Sequence, residues 1–82
     1  MQTYPILKNA LPLDDYFLML IFGDGEERLY DFKPNLTHKY YEELADMRLF
    51  KALSVNEGEI EWKSGQDFCP HTLYEESQPI NL

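Results

Sequence analysis

The stretch GEIEWKSGQDFCPHTLY, residues 58–74, decides more of the fold than any other part of the chain. Polar and apolar side chains alternate over residues 59–62, which predicts a strand with Ile60 and Trp62 on one face. The Lys-Ser-Gly turn that follows ends on a glycine, a residue that accepts positive φ, so the chain is expected to return as a second strand. Pro70 ends that strand, and one turn of helix is expected after it. The stretch therefore predicts a β-hairpin followed by a C-terminal helical turn.

The N-terminal part of the chain predicts an antiparallel meander of three strands, over residues 6–13, 16–22 and 26–32. Gly23-Asp24-Gly25 is the turn between the second and third strands, because glycine adopts positive φ without strain. The second run is almost continuously apolar, which indicates burial on both faces or a central place in the sheet.

Two short helices are predicted between the meander and the hairpin, over residues 39–44 and 47–52, with a strand starting at Leu53. Asp46 is a good N-cap for the second helix. Three side chains of the first helix have the spacing of one helical face and are expected to point inward: Tyr40, Tyr41 and Leu44.

These elements predict an α+β fold: an antiparallel three-stranded meander, a short helical crossover, then a β-hairpin with a C-terminal helical turn. The 82 residues are expected to form a single domain, 1–82. A domain of this size buries only about 60–65% of its extended surface, so it depends on a dense aromatic core or on a partner. The tail, residues 77–82, is polar and is expected to fray.

The charge of the chain limits the classes of partner. It carries 15 acidic and 7 basic residues, for a formal net charge of −8. A chain with this negative charge repels the phosphate backbone of nucleic acids, so direct nucleic-acid binding is disfavoured. Complementary charge favours a basic protein partner; the alternative is that the charge serves only solubility.

The remaining composition points to a cytoplasmic protein. A single cysteine rules out an internal disulfide and fits a reducing compartment. The N-terminus lacks a basic region followed by an apolar run, so no signal peptide is expected. The longest apolar run, residues 17–22, is far too short to span a bilayer, so no membrane association is expected.

Several motifs together resemble a known family. DFKP occurs at residues 31–34, YEELADMRLF at residues 41–50, and the hairpin and its CPHTLY ending lie within residues 58–77. These motifs are similar to those of the family called domain of unknown function 2442, and the likeness covers nearly the whole chain.

The resemblance implies a small bacterial α+β domain. Some members carry a DNA-binding helix-turn-helix after the domain, and this chain ends before any such module. Members are often encoded beside a second family, domain of unknown function 4160, and the two look like a toxin–antitoxin pair. By association, this implies a role in binding a partner protein; likeness of fold alone does not establish function.

Candidate partner-binding residues fall into two groups. Five carboxylates would steer a basic protein: Glu59, Glu61, Asp67, Glu75 and Glu76. Three apolar or aromatic side chains would anchor it: Trp62, Leu73 and Tyr74.

Each of these candidates has a structural alternative. Trp62 is the size of residue that small domains bury in their cores, and the final helical turn could dock on the protein's own sheet. Glu59 and Glu61 could simply cover a solvated sheet face. Asp67, just after Gly65, could accept hydrogen bonds from turn N–H groups and fix the hairpin.

A metal or thiol site at Asp67, Cys69 and His71 is the weakest interpretation. One His and one Asp are fewer than the usual three or four metal ligands, and no nucleophile–base–orienter set is present. Cys69 is expected to be a buried, inert thiol. We therefore expect no catalytic residue, no metal and no cofactor.

The sequence thus favours a non-enzymatic protein-interaction module, an antitoxin-like partner of a small basic protein. The alternative is a regulatory subunit, or a homodimer formed through an exposed strand edge, that acts with a separate DNA-binding chain.

Overall fold

A computed structural model describes residues 4–80, which form two antiparallel sheets joined by short helices. The strands are β1 (Leu7–Pro12), β2 (Phe17–Phe22), β3 (Glu27–Asp31), β4 (Leu53–Asn56), β5 (Glu59–Trp62), β6 (Asp67–Phe68) and β7 (Gln78–Pro79). The α-helices are α1 (Met47–Phe50) and α2 (Pro70–Glu76), and 3₁₀ helices cover Asp14–Tyr16, Lys33–Thr37 and Lys39–Ala45. Among residues 4–80, no helix is long and apolar enough to cross a membrane.

The strand order is β1-β2-β3-β7 in the first sheet and β4-β5-β6 in the second. The predicted α+β fold, with its meander, crossover and hairpin, is confirmed. β2 holds the central place that its apolar run predicted, with β1 and β3 as antiparallel neighbours.

β2 does not bury both of its faces equally. Leu18, Leu20 and Phe22 are fully buried, whereas the alternating Phe17 and Ile21 remain partly exposed. Successive strand side chains point to opposite faces, so one face of this sheet lines the core and the other faces away from it.

The core lies between the inner faces of the two sheets. Trp62 packs in this core and also forms a hydrogen bond within it. Trp62 is 3% exposed, and its ring centroid lies 5.1 Å from that of Phe32. The indole Nε1 donates to the Phe50 carbonyl at 2.9 Å. A buried indole N–H needs such a partner, and this bond ties α1 to the hairpin.

The crossover differs from the prediction in helix type, and the difference moves Tyr40. Tyr41 N donates to the His38 carbonyl and Asp46 N to the Glu43 carbonyl, which are the i→i+3 bonds of a 3₁₀ helix. With three residues per turn, residues three apart eclipse one another. Tyr41 and Leu44 therefore share the inner side, while Tyr40 turns outward and is 54% exposed. The expectation that Tyr40 points inward is wrong.

Asp46 caps α1 as predicted: its side chain accepts a hydrogen bond from Arg48 N at 3.0 Å. The second predicted helix is shorter than expected, ending at Phe50 rather than at residue 52.

The tail does not fray within the described residues. Gln78–Pro79 pairs with β3, and Ser77 is only 2% exposed. Arg28 holds this segment: its Nε donates to Ser77 Oγ and its Nη2 to the Ser77 carbonyl, both at 2.7 Å. The expectation of a frayed tail is therefore wrong for residues 77–80, and residues 81–82 lie outside the described part of the chain.

Candidate functional site

The hairpin presents a row of carboxylates on the side of its sheet that faces away from the core. Ile60 and Trp62 are buried, and the alternating Glu59 and Glu61 are exposed. Asp67 lies directly opposite Glu61 in the strand register and is also exposed. We call Glu59, Glu61 and Asp67 the acidic face.

The acidic face is electrostatically uncompensated. Like charges directly opposite each other on neighbouring strands are destabilising, and Glu61 and Asp67 have this arrangement. Within residues 4–80, none of the three carboxylates of this face forms an ion pair. A cationic group placed over this face would relieve the repulsion.

An exposed aromatic ring borders the acidic face. The Tyr40 hydroxyl donates to Asp67 Oδ1 at 3.1 Å, and the neighbouring Tyr41 hydroxyl donates to the Asp67 carbonyl at 2.8 Å. Asp67 is therefore held by the crossover, and the turn N–H bonds expected of its side chain are not what the structure shows. Tyr40 is not among the site residues predicted from the sequence. Its outward position could be predicted only if residues 39–45 were assigned as a 3₁₀ helix rather than an α-helix, because the two helices differ in which residues share a side.

Two of the three predicted anchors lie in the core. Trp62 is 3% exposed and Leu73 is fully buried, so neither side chain can contact a partner in this fold. Their role as anchors is corrected, and for Trp62 the alternative core role describes its position.

The third predicted anchor, Tyr74, is occupied within the protein. The Arg28 guanidinium lies 4.5 Å from the centre of its ring, and the ring packs edge-on against Phe22 at 5.1 Å. The Tyr74 hydroxyl donates to Glu26 Oε1 at 2.9 Å. The ring and the hydroxyl of Tyr74 therefore serve to hold α2 against the first sheet.

The two carboxylates of α2 are exposed, and the residues that they contact do not belong to the acidic face. Glu75 Oε1 lies 3.4 Å from His71 Nε2 within the same helix. Burial is the main cause that raises the pKa of Tyr30; the hydrogen bond with Asn35 lowers this pKa, and Glu76, which interacts with the Tyr30 hydroxyl, adds a smaller raising effect. The structure brings Glu59, Glu61 and Asp67 together and leaves Glu75 and Glu76 in other surroundings.

Cys69 is exposed, so the expectation of a buried thiol is wrong. Hydrogen bonding from the backbone N–H of Thr72 lowers the pKa of Cys69, with a lesser contribution from the His71 backbone. The His71 ring instead stacks on Tyr4, with centroids 5.0 Å apart. Within residues 4–80, no three His, Cys, Asp or Glu side chains are placed to hold a metal ion.

A shallow groove of about 550 Å³ adjoins the acidic face at Glu59. Lys8 of β1 and the preceding Ile6 line its wall, and the turn between β4 and β5 contributes Glu57 and Gly58. A groove of mixed polarity beside the carboxylates extends the surface on which a partner side chain could lie.

Two antiparallel sheets, one with an acidic outer face, define a small acidic α+β domain. The chain matches the family model described as Protein of unknown function (DUF2442) over residues 7–79, and it belongs to that family. Comparison with curated proteins and with solved structures gave no match.

Proposed function

We propose that this protein is a non-enzymatic interaction module that binds a small basic protein through the acidic face. The observation that carries the proposal is the cross-strand pair of Glu61 and Asp67, two exposed carboxylates held opposite each other. Lys or Arg side chains of a partner would remove a repulsion that the free protein retains.

The overall charge supports the same proposal. A net charge of −8 creates a field that accelerates the approach of a cationic protein. The acidic face would then position the partner, because Arg pairs with carboxylates through parallel N–H···O bonds.

Tyr40 is the proposed anchor in place of Trp62. Tyr and Arg are enriched among the residues that carry most of the energy of protein interfaces. An Arg of the partner could lie over the Tyr40 ring while its guanidinium reaches Asp67, since the Tyr40 hydroxyl already contacts that carboxylate. The groove beside Glu59 would accept a neighbouring side chain.

The family resemblance suggests the kind of partner and setting. Members often lie beside a gene of a second small family, in an arrangement like that of toxins and antitoxins, so the neighbouring gene product is the partner to test. We place the proposed complex in a bacterial cytoplasm, where a lone cysteine stays reduced.

Co-expression of the chain with the neighbouring gene product tests the proposal. We expect the two to co-purify at about 0.1 M salt and to separate at about 0.5 M salt, because screening weakens contacts between exposed charges. The double variant Glu61→Gln/Asp67→Asn should lose the partner at low salt. The control Asp15→Asn/Glu27→Gln changes net charge equally, in the connection between β1 and β2 and on β3, and should retain the partner. Failure to co-purify at low salt, or equal loss by both variants, would contradict the proposal.

A further inference from the structure

The four-stranded sheet also has an outer face, and that face is apolar. Across β1, β2 and β3, the register aligns Leu11, Met19 and Leu29 in one row. Five side chains alternate with the buried ones of these strands and so point away from the core: Leu11, Phe17, Met19, Ile21 and Leu29. We call these five residues the apolar face.

The apolar face is accessible, and charged side chains lie only at its margins. Leu11 is 41% exposed, and the other four are partly exposed. Lys33 lies over the Phe17 ring, with its Nζ 4.0 Å from the centroid, and the same ammonium pairs with Asp31 at 3.0 Å. Glu27 lies opposite Ile21, at the start of β3. Because Glu27 is at the margin, the five apolar side chains can be covered while its carboxylate stays in water. Exposed apolar patches of this kind mark interaction sites.

The edges of the same sheet are poorly suited to pairing with another chain. β1 is interrupted by an irregularity between Leu7 and Asn9 and ends at Pro12. β7 has two residues, the second of which is Pro79. Bulges, prolines and short strands blunt sheet edges against edge-to-edge association, so contact through the face is the remaining route for this sheet.

We propose that a second copy of this chain covers the apolar face, forming a homodimer by packing one four-stranded sheet on the other. A two-fold dimer brings the same patch of both copies together, and a patch that is apolar at its centre is complementary to itself. A basic partner would instead be drawn to the acidic face, which points away from the core on the other sheet and stays outward in the dimer.

The size of the face sets the expected strength of the dimer. Three strands of this length, rising about 3.3 Å per residue and spaced about 4.8 Å apart, give about 300 Å² of flat sheet. Two copies would bury at least about 600 Å² in total, and interdigitating side chains raise this towards about 1,000 Å², which is the size of weak, transient interfaces rather than of stable ones. We therefore expect dissociation in the micromolar range.

Sedimentation equilibrium of the whole chain between about 10 µM and about 500 µM tests this proposal, because mass action favours the dimer at high concentration. The mass should rise from 9.7 kDa towards twice that value. Met19→Lys should remain monomeric across the range. Ser54→Lys adds the same charge at an exposed site of β4, on the other sheet, and should dimerise like the unchanged chain. Leu11→Lys, at a more exposed site, should also stay monomeric. If Met19→Lys does not fold, Leu11→Lys is the variant that tests whether the apolar face forms the dimer.

Two results would overturn the dimer. One is an unchanged chain that stays monomeric at about 500 µM. If Met19→Lys then fails to bind the neighbouring gene product, the apolar face is the binding site of that protein and not of a second copy. The other is dimerisation of folded Met19→Lys or Leu11→Lys to the same extent as Ser54→Lys. Raising the salt from about 0.1 M to about 0.5 M should leave this apolar contact intact while it separates a complex at the acidic face, so the two proposals fail independently.

Discussion

Trp62 connects three parts of the molecule through a single side chain. Its ring contacts that of Phe32 from the end of the meander, and its N–H bonds the carbonyl of Phe50 in α1, while its backbone belongs to β5. The loss of this side chain would open a cavity and leave a buried carbonyl without a partner.

Trp62→Ala is therefore expected to lower the free energy of unfolding by about 3–5 kcal/mol, as large-to-small core substitutions do. Tyr40→Ala is the matched control, since it removes another aromatic ring from a site that is 54% exposed. Urea denaturation followed by circular dichroism measures both. Similar losses for the two variants would show that Trp62 is not the centre of the core.

Tyr41 gives the protein a measurable response to alkaline pH. Burial is the main cause that raises the pKa of Tyr41 to about 12, and the neighbouring Tyr40 and Asp67 add to it. Above the ordinary tyrosine pKa of 10.0, an unfolded chain loses this proton while the folded chain keeps it. The unfolded state then binds fewer protons, so stability falls as the pH rises.

We predict that the free energy of unfolding decreases between pH 10.0 and about 12, and that Tyr41→Phe removes part of this decrease. Denaturation at several pH values in this window measures the effect. Absorbance titration of the folded proteins should show one fewer late-titrating phenol in the variant than in the unchanged chain. A slope that is the same in both proteins would contradict the raised pKa of Tyr41.

At the scale of elements, the Arg28 side chain holds the C-terminal segment against β3. Its side chain is 13% exposed, bonds Glu26 at 2.6 Å and makes two bonds to Ser77. The pairing of β7 with β3 involves only two residue pairs, so these side-chain bonds are needed to keep the strand in place.

Arg28→Ala should destabilise the protein by about 2 kcal/mol, the scale of hydrogen bonds to charged groups. It should also speed amide exchange at Ile80, whose N–H donates to the Glu27 carbonyl. Arg48→Ala is the control, because Arg48 is paired with Asp46 on the surface and its side chain is 89% exposed. Equal exchange at Ile80 in both variants would mean that β7 holds without Arg28.

Local patterns predicted the hairpin better than the tail. Alternation of polar and apolar residues predicted β5 at Glu59–Trp62, as the structure has it. Both this alternation and the turn-forming residues are features of a few consecutive residues, so they can be recognised locally. β7 was missed because its partners, Arg28 and Leu29, lie far away in the chain. Non-local hydrogen bonds of this kind leave no periodic signal in the segment that receives them.

The candidate site was predicted in part, for a related reason. Exposure of Glu59 and Glu61 followed from strand alternation. The helical turn gave no local signal that Leu73 is fully buried and that Tyr74 is occupied by Arg28. Tyr40 was assigned inward because an α-helix was assumed, and only the tighter 3₁₀ turn rotates it towards Asp67.

At the scale of the whole molecule, the two sheets share one core and offer two different outer faces. The hairpin sheet carries the acidic face, and the meander sheet carries the apolar face. If both proposals hold, the domain associates with itself through the apolar face and binds a cationic protein through the acidic face, so that a dimer would present two acidic faces. The two proposed contacts would then differ in their response to salt, because screening weakens contacts between charges and leaves apolar burial intact.

The most direct measurement of the central claim is an NMR titration of the labelled chain with the neighbouring gene product. If the acidic face binds the partner, amide resonances of Glu59, Glu61 and Asp67 shift or broaden together with that of Tyr40, and the changes reverse when salt is raised. Changes confined to β1, β2 and β3, or no change at low salt, would contradict the account.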